Sequence, residues 1–259
     1  MNETKQLDIQ VELSKLRTMY SEHGEPKPSF LVYGDFGTGK TTLATTCPKP
    51  VLIHSFDPGG MVSIRDELRN DASQITADIR FEDEDPGRPS AWSNWVTEYK
   101  RLKKLGVLDQ LGTFVIDSGT TWAAAALNLV CSKAGRPGGP PFQQDYMPAM
   151  SAMENAIKDI MTCKCHFVLL CHEDATEDKN SGKMFIGPQL IGKLKQRIPL
   201  LFSELYCAQV QQTSSGSVYR LLTRATGLYR ARTRLGSHNR LDASEEPNIT
   251  NLLVKAHKS

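Results

Sequence analysis

Short apolar runs alternate with helical patterns along most of the chain. Phe30–Tyr33, Val51–Phe56, Thr113–Asp117 and Phe167–Cys171 are nearly continuous apolar stretches. Runs of that length and composition predict strands covered on both faces. Between them, apolar residues recur at helical spacing over Lys40–Thr46, Met61–Arg69, Trp92–Leu105, Thr121–Lys133, Tyr146–Met161 and Leu190–Phe202. The alternation predicts an α/β fold, a mostly parallel sheet flanked by helices. Leu205–Gln211 and Val218–Thr223, joined by Thr213-Ser214-Ser215-Gly216, predict a C-terminal antiparallel strand pair. The N-terminal stretch is polar but places Ile9, Leu13, Leu16 and Tyr20 at helical spacing, which predicts a short helix over Leu7–Tyr20 ended by Pro26 and Pro28. Ala134–Gln144, rich in Gly and Pro, and the polar Glu173–Gly187 predict exposed loops. The organisation expected is an extension over residues 1–28, one main domain over 29–240 and a tail over 241–259.

Composition narrows the class without choosing a function. With 39% hydrophobic and 23% charged residues in 259, the chain has what a core of ordinary size needs. No run approaches the roughly 20 apolar residues that span a bilayer, and the start is polar and acidic, so a cytoplasmic protein with no membrane partner is expected. Cys47, Cys131, Cys163, Cys165, Cys171 and Cys207 show no framework spacing. Cys163, Cys165 and His166 invite a zinc reading, but Cys165–Cys171 reads as one buried strand, which cannot easily wrap a tetrahedral ion. The net charge of +2 is unevenly spread, with nine acids over Asp57–Asp85 and six arginines without an acid over Thr213–Leu241. A basic segment of that kind suits a polyanion or an acidic neighbour, and equally a solvated face.

The chemistry begins at Gly34-Asp35-Phe36-Gly37-Thr38-Gly39-Lys40-Thr41, followed by Thr42. Glycines let such a loop turn tightly and aim its N–H groups at phosphate oxygens, and the helix that follows adds its positive end. Lys40 is expected on the terminal phosphates and Thr41 on Mg²⁺, so ATP and Mg²⁺ are the expected cofactors. Asp117 ends an apolar strand, where it can hold the magnesium beside Thr41. Val168-Leu169-Leu170 delivers His172 and Glu173 to the same sheet edge, and His172 is a candidate sensor of the terminal phosphate. Asp57, before Pro58, is either the group that polarises the attacking water or a turn residue; Glu173 is the next candidate base. In Arg230-Ala231-Arg232-Thr233-Arg234 the alternation would point three guanidinium groups to one side of an extended segment.

These stretches, with Phe56-Asp57-Pro58-Gly59-Gly60, Ile198–Glu204 and Arg232–Gly236, resemble the RecA-like core ATPases over roughly residues 29–240. More narrowly they resemble phage-encoded P-loop nucleotide-binding proteins, some of which act as minimal recombinases or single-strand annealing ATPases. The resemblance implies a role in DNA recombination, repair or replication, within a ring or filament. It also implies that Arg232 and Arg234 enter a neighbouring subunit's site, and that partners include single-stranded DNA and a single-strand binding protein or exonuclease. Two departures stand out: RecA-type proteins usually carry glutamate where Asp57 stands, and no second DNA-binding domain is evident. The DNA contact is therefore expected from the core itself, over Glu173–Arg197, where Lys183, Phe185, Lys193, Lys195 and Arg197 offer cations and an aromatic. The competing functions are a helicase-like motor or loader, a small-molecule kinase and a nucleotide-gated assembly protein.

Overall fold

In a computed structural model, residues 3–22, 27–177, 182–214, 216–235 and 240–257 are described. Gly236, part of the Glu173–Gly187 segment and the ends of the extension and tail lie outside these residues. The chain begins with helix α1 (Glu3–Glu22), longer than the helix expected there. Strand β1 (Ser29–Gly34) leads through the glycine-rich loop into α2 (Lys40–Thr45). Next come β2 (Val51–Ser55), α3 (Arg65–Asn70), β3 (Ile75–Asp78) and α4 (Ala91–Lys104). Then follow β4 (Thr113–Asp117), α5 (Gly119–Lys133), α6 (Gln143–Ile160), β5 (His166–Glu177) and β6 (Met184–Pro188). The chain closes with α7 (Leu194–Leu201), β7 (Glu204–Thr213), β8 (Gly216–Leu222), β9 (Ser244–Glu245) and α8 (Ile249–His257).

The sheet runs β3-β2-β4-β5-β1-β7-β8-β9, with β6 added to the far end of β5. From β3 to β7 the strands are parallel, and β8 and β9 are antiparallel additions. This is the α/β arrangement expected, a mostly parallel sheet flanked by helices, with its closing strand pair. Alternation along β1 shows why the apolar runs are continuous. Leu31 and Tyr33 enter one core, Phe30 and Val32 the other, and both faces are covered. The first core lies under α4–α7 and is organised around aromatic rings. Trp122 sits 5.2 Å from Trp92, 4.8 Å from Trp95 and 6.4 Å from Phe56, centroid to centroid. The second lies under α2 and α8 and joins Leu43, Ala44, Leu221 and Leu252.

Two expectations are corrected. Glu173–Gly187 is not a loop: β5 continues through Glu177 and pairs antiparallel with β6, Thr176 opposite Phe185. Most of its described residues are polar and only partly buried, so its sequence looks like a loop, although Ile186 packs against the first core. Nor does packing stop at residue 240: Ile249, Leu252 and Ala256 of α8 are buried in the second core, and the Ile249 N–H donates to Thr46 Oγ1 at 3.0 Å. Among the described residues no helix is long and apolar enough to cross a membrane.

Trp122→Ala should reveal how far the fold depends on the ring cluster. Emptying a fully buried indole site costs about 3–5 kcal/mol, and urea unfolding should show that loss. A change below about 1 kcal/mol, in the range typical of surface substitutions, would mean that the rings are not the packed centre.

Candidate nucleotide site

The parallel register brings the expected residues to one edge. Gly34 lies opposite His172, and Ser55 opposite Asp117, so the C-terminal ends of β1, β5, β4 and β2 open into a single crevice. Because α2 covers one face of the sheet and α5 the other, the crevice falls where ligands of such sheets bind. Gly34 is required at the loop's start because a Cβ there would collide with the Ala208 carbonyl of β7. Gly39 has φ +79°, a left-handed conformation open to glycine, and from it α2 begins.

Lys40 is only 8% exposed. Its Nζ donates to the carbonyls of Gly34 at 2.8 Å and Asp35 at 2.7 Å. Burial pushes the ammonium below the ordinary lysine range, against the pull of Asp117. Thr41 Oγ1 donates to Asp117 Oδ2 at 2.7 Å. Asp117 is 4% exposed, and burial raises its carboxyl to about 6 despite that hydrogen bond. A hydroxyl and a carboxylate held side by side, with the carboxylate short of positive charge, fit a hard oxygen-liganded cation such as Mg²⁺. Phosphate oxygens would in turn replace the loop carbonyls around Lys40.

The Asp57 carboxylate is held by side chains from three other residues. Its Oδ1 accepts from Ser118 Oγ at 2.9 Å and from Thr121 Oγ1, and its Oδ2 lies 3.3 Å from His172 Nε2. Burial pushes this carboxyl up, but the hydrogen bonds from His172, Thr121 and Ser118 outweigh it and hold it below the ordinary aspartate range. Glu173 stands one residue beyond His172, raised by burial and by the neighbouring Asp35 carboxylate. The His172 N–H donates to Thr120 Oγ1 at 3.0 Å, and that hydroxyl donates to the Gln189 carbonyl at 2.9 Å. The histidine is thus tied to both ends of the hairpin. Sequence reasoning missed Ser118, Thr120 and Thr121, although their hydroxyls directly after Asp117 were a readable signal.

The arginine segment is not a row of free guanidinium groups. Arg232 donates to the carbonyls of Pro199 at 2.9 Å and Phe202 at 2.8 Å within its own chain. Arg230 lies over the Phe185 ring, 3.3 Å from its centroid, and Arg234 is exposed. Buried Glu204 fixes the bend by accepting the N–H groups of Arg234 at 2.9 Å and Leu235 at 3.0 Å. Of the cations expected to meet DNA, Lys195 lies 3.3 Å from Asp174, Arg197 pairs with Glu154 on α6 at 2.7 Å, and Lys193 is exposed. Lys183 precedes β6 and carries an interaction of its own. Phe185, Lys195, Arg230 and Arg232 all line one cleft between the hairpin and α7.

Asp117→Asn should stabilise the nucleotide-free protein. The folded carboxyl, at about 6, lies above its unfolded value, so its favourable contribution is complete below about pH 4 and is lost as pH rises through 6. At pH 8 the amide should therefore gain on the order of 2–3 kcal/mol, while its chemistry fails. Urea titrations at pH 4 and pH 8 measure this; an equal effect at both values would refute the assignment.

Residues 26–235 match a family described as AAA domain, a span that holds every residue of the crevice. No curated protein matches the chain. Among solved structures, a KaiC-like protein from the archaeon Pyrococcus horikoshii OT3 aligns at 12% identity and TM-score 0.43, over 80% of this chain and 82% of that one. A type III secretion ATPase of pathogenic bacteria aligns at 11% identity and TM-score 0.45, over 71% of this chain and 52% of that one. The assembled ATPase EscN, solved with its central stalk EscO from enteropathogenic E. coli, aligns at 13% and 0.42, over 71% and 42%. The present chain thus spans about half the length of the two secretion ATPases. The glycine-rich loop with Lys40, Thr41 and Asp117 gathered at its mouth, and the match over most of the sequence, place the chain in the AAA domain family of P-loop ATPases.

Proposed function

We propose that this ATPase uses ATP and Mg²⁺, binds single-stranded DNA and promotes annealing or homologous pairing in phage DNA metabolism, working as a ring or filament. One observation carries the reading. Strand β5 runs unbroken from His172, beside Asp57, into the hairpin whose Phe185 shares a cleft with Lys195, Arg230 and Arg232. Cations around an aromatic ring are what a single strand needs, the cations for its phosphates and the ring for its bases. Bound Mg²⁺ would neutralise charge building on the phosphates. Thr41 and Asp117 would hold it, Lys40 would orient the terminal phosphate, and Asp57 would accept a proton from the attacking water. His172, hydrogen-bonded to Asp57, would pass the state of the site to the hairpin. Of the two arginines expected to act in a neighbouring subunit, Arg234 is the better candidate, because Arg232 is engaged in its own chain.

On this reading single-stranded DNA raises the ATPase rate. Replacing Lys193, Lys195 and Arg230 with alanine should weaken DNA binding and lower the salt slope by about 2, at roughly 0.7 per lost phosphate contact. Unchanged affinity and slope would move the contact elsewhere, and unwinding of a forked duplex would indicate a helicase-like motor. For Arg234, mixing Lys40→Ala subunits with Arg234→Ala subunits should restore activity at mixed interfaces, since such a residue supplies about 10³–10⁵ in rate in the best cases. Absence of recovery in confirmed assemblies would rule out action in trans.

A further inference from the structure

The groups that surround the reacting phosphate all stand on one flank of β1. His172, Asp57, Asp117 and the hydroxyls of Ser118 and Thr121 come from β5, β2, β4 and the start of α5. A triphosphate laid across the loop with its terminal group toward that flank must send its nucleoside toward the opposite one. That flank is built by β7, hydrogen-bonded to β1, and by β8 beyond it.

On β8 stands Tyr219, opposite Val210 of β7. Two residues along, Leu221 enters the core beneath α2, and alternation puts Tyr219 on the same face, at the mouth of the crevice. Its ring lies against the phosphate loop: a Cβ placed on Gly39 would sit 3.3 Å from Tyr219 Cδ1 and 3.6 Å from Cε1. The ring is nevertheless 45% exposed. A large ring anchored by strand pairing, seated on the loop that holds phosphates and still open to solvent, contributes only part of its area to the core. Beside it the first turn of α2 leaves Thr42 exposed, so the space next to the ring is open to a ligand leaving the loop.

The geometry points to Tyr219 as the surface on which the nucleobase stacks. The inference rests on the ATP reading and adds the base subsite to it. A flat aromatic face reads the π-surface of a base and not its hydrogen-bonding edge, so the class of ligand is a nucleoside triphosphate, with adenine and guanine treated alike.

The test compares ATP, GTP and inorganic tripolyphosphate, each with Mg²⁺, by calorimetric titration of wild type, Tyr219→Ala and Tyr219→Phe. Tyr219→Ala should bind ATP and GTP about tenfold more weakly or worse, the range expected for loss of one stacking partner. It should bind tripolyphosphate as wild type does, and Tyr219→Phe should restore ATP affinity. ATP affinity within twofold of wild type in Tyr219→Ala would overturn the assignment. So would an equal loss for tripolyphosphate, because the ring would then only shape the loop. Failure of the wild type to bind either ATP or tripolyphosphate would overturn the nucleotide reading itself, and the base subsite with it.

Discussion

Two buried charges at the mouth of the glycine-rich loop constrain everything around them. Lys40 and Asp117 are both almost out of reach of water, and burial drives each toward its neutral form. Neither is paired with the other by a hydrogen bond; Lys40 leans on loop carbonyls and Asp117 on the Thr41 hydroxyl. Dipoles of this kind soften the cost of a buried charge without cancelling it. On the proposed function a polyanion would relieve the lysine and a cation the aspartate, so the filled site would be more stable than the empty one. Ligand binding then stabilises the fold by mass action. The sheet makes this possible because parallel register delivers Gly34, Asp117 and Ser55 to the same edge, and two well-packed cores support the strain.

Much of this was legible in the sequence because it is local. A phosphate loop is contiguous, and an apolar run ending in Asp117 or His172 marks a parallel strand tip wherever the fold is α/β. What could not be read depends on distant segments meeting. The sequence of Glu173–Gly187 is mostly polar, and strands that are only partly buried show no apolar alternation to report them. The C-terminal segment was hidden for a different reason. Its apolar positions fall mostly in one short helix, α8, and only tertiary contact shows that Ile249, Leu252 and Ala256 complete the core under α2. The hydroxyl shell around Asp57 lies more than sixty positions away in the chain and is brought there by the pairing of β2 with β4.

The arginine segment shows how tertiary structure can separate residues that sequence treats as equivalent. Alternation suggested three guanidinium groups in a row, but each meets a different surface. Arg230 covers Phe185, Arg232 closes the exposed carbonyl end of α7, and Arg234 is left to solvent by the bend that Glu204 holds. A buried carboxylate accepting two backbone N–H groups and the Tyr206 hydroxyl is a costly way to fix a bend unless the bend matters. It ties the backbone beyond Arg232 to the start of β7, while the side chains of Arg230 and Arg234 are both exposed.

Rigidity also bears on how the site and the hairpin communicate. Asp57 touches His172 through its side chain, while the backbone of His172 is bonded through Thr120 to Gln189 and directly to the Gln189 N–H at 2.8 Å. Beyond Gln189, β6 is knitted to the arginine segment: the Ile186 N–H donates to the Leu228 carbonyl, the Arg230 N–H donates to the Ile186 carbonyl, and the Tyr33 hydroxyl from β1 bridges both strands. Asp57 is therefore linked to the cleft through hydrogen bonds as far as Gln189 and through the backbone of β6 beyond it. Continuity alone is not coupling, which requires an element with two arrangements of similar energy. On the proposed function, the imidazole of His172 is the group that would supply it. Half-exposed and held to Asp57 by a single 3.3 Å contact, it would, on the proposed reading, turn to a phosphate oxygen and carry the difference through its backbone into β5.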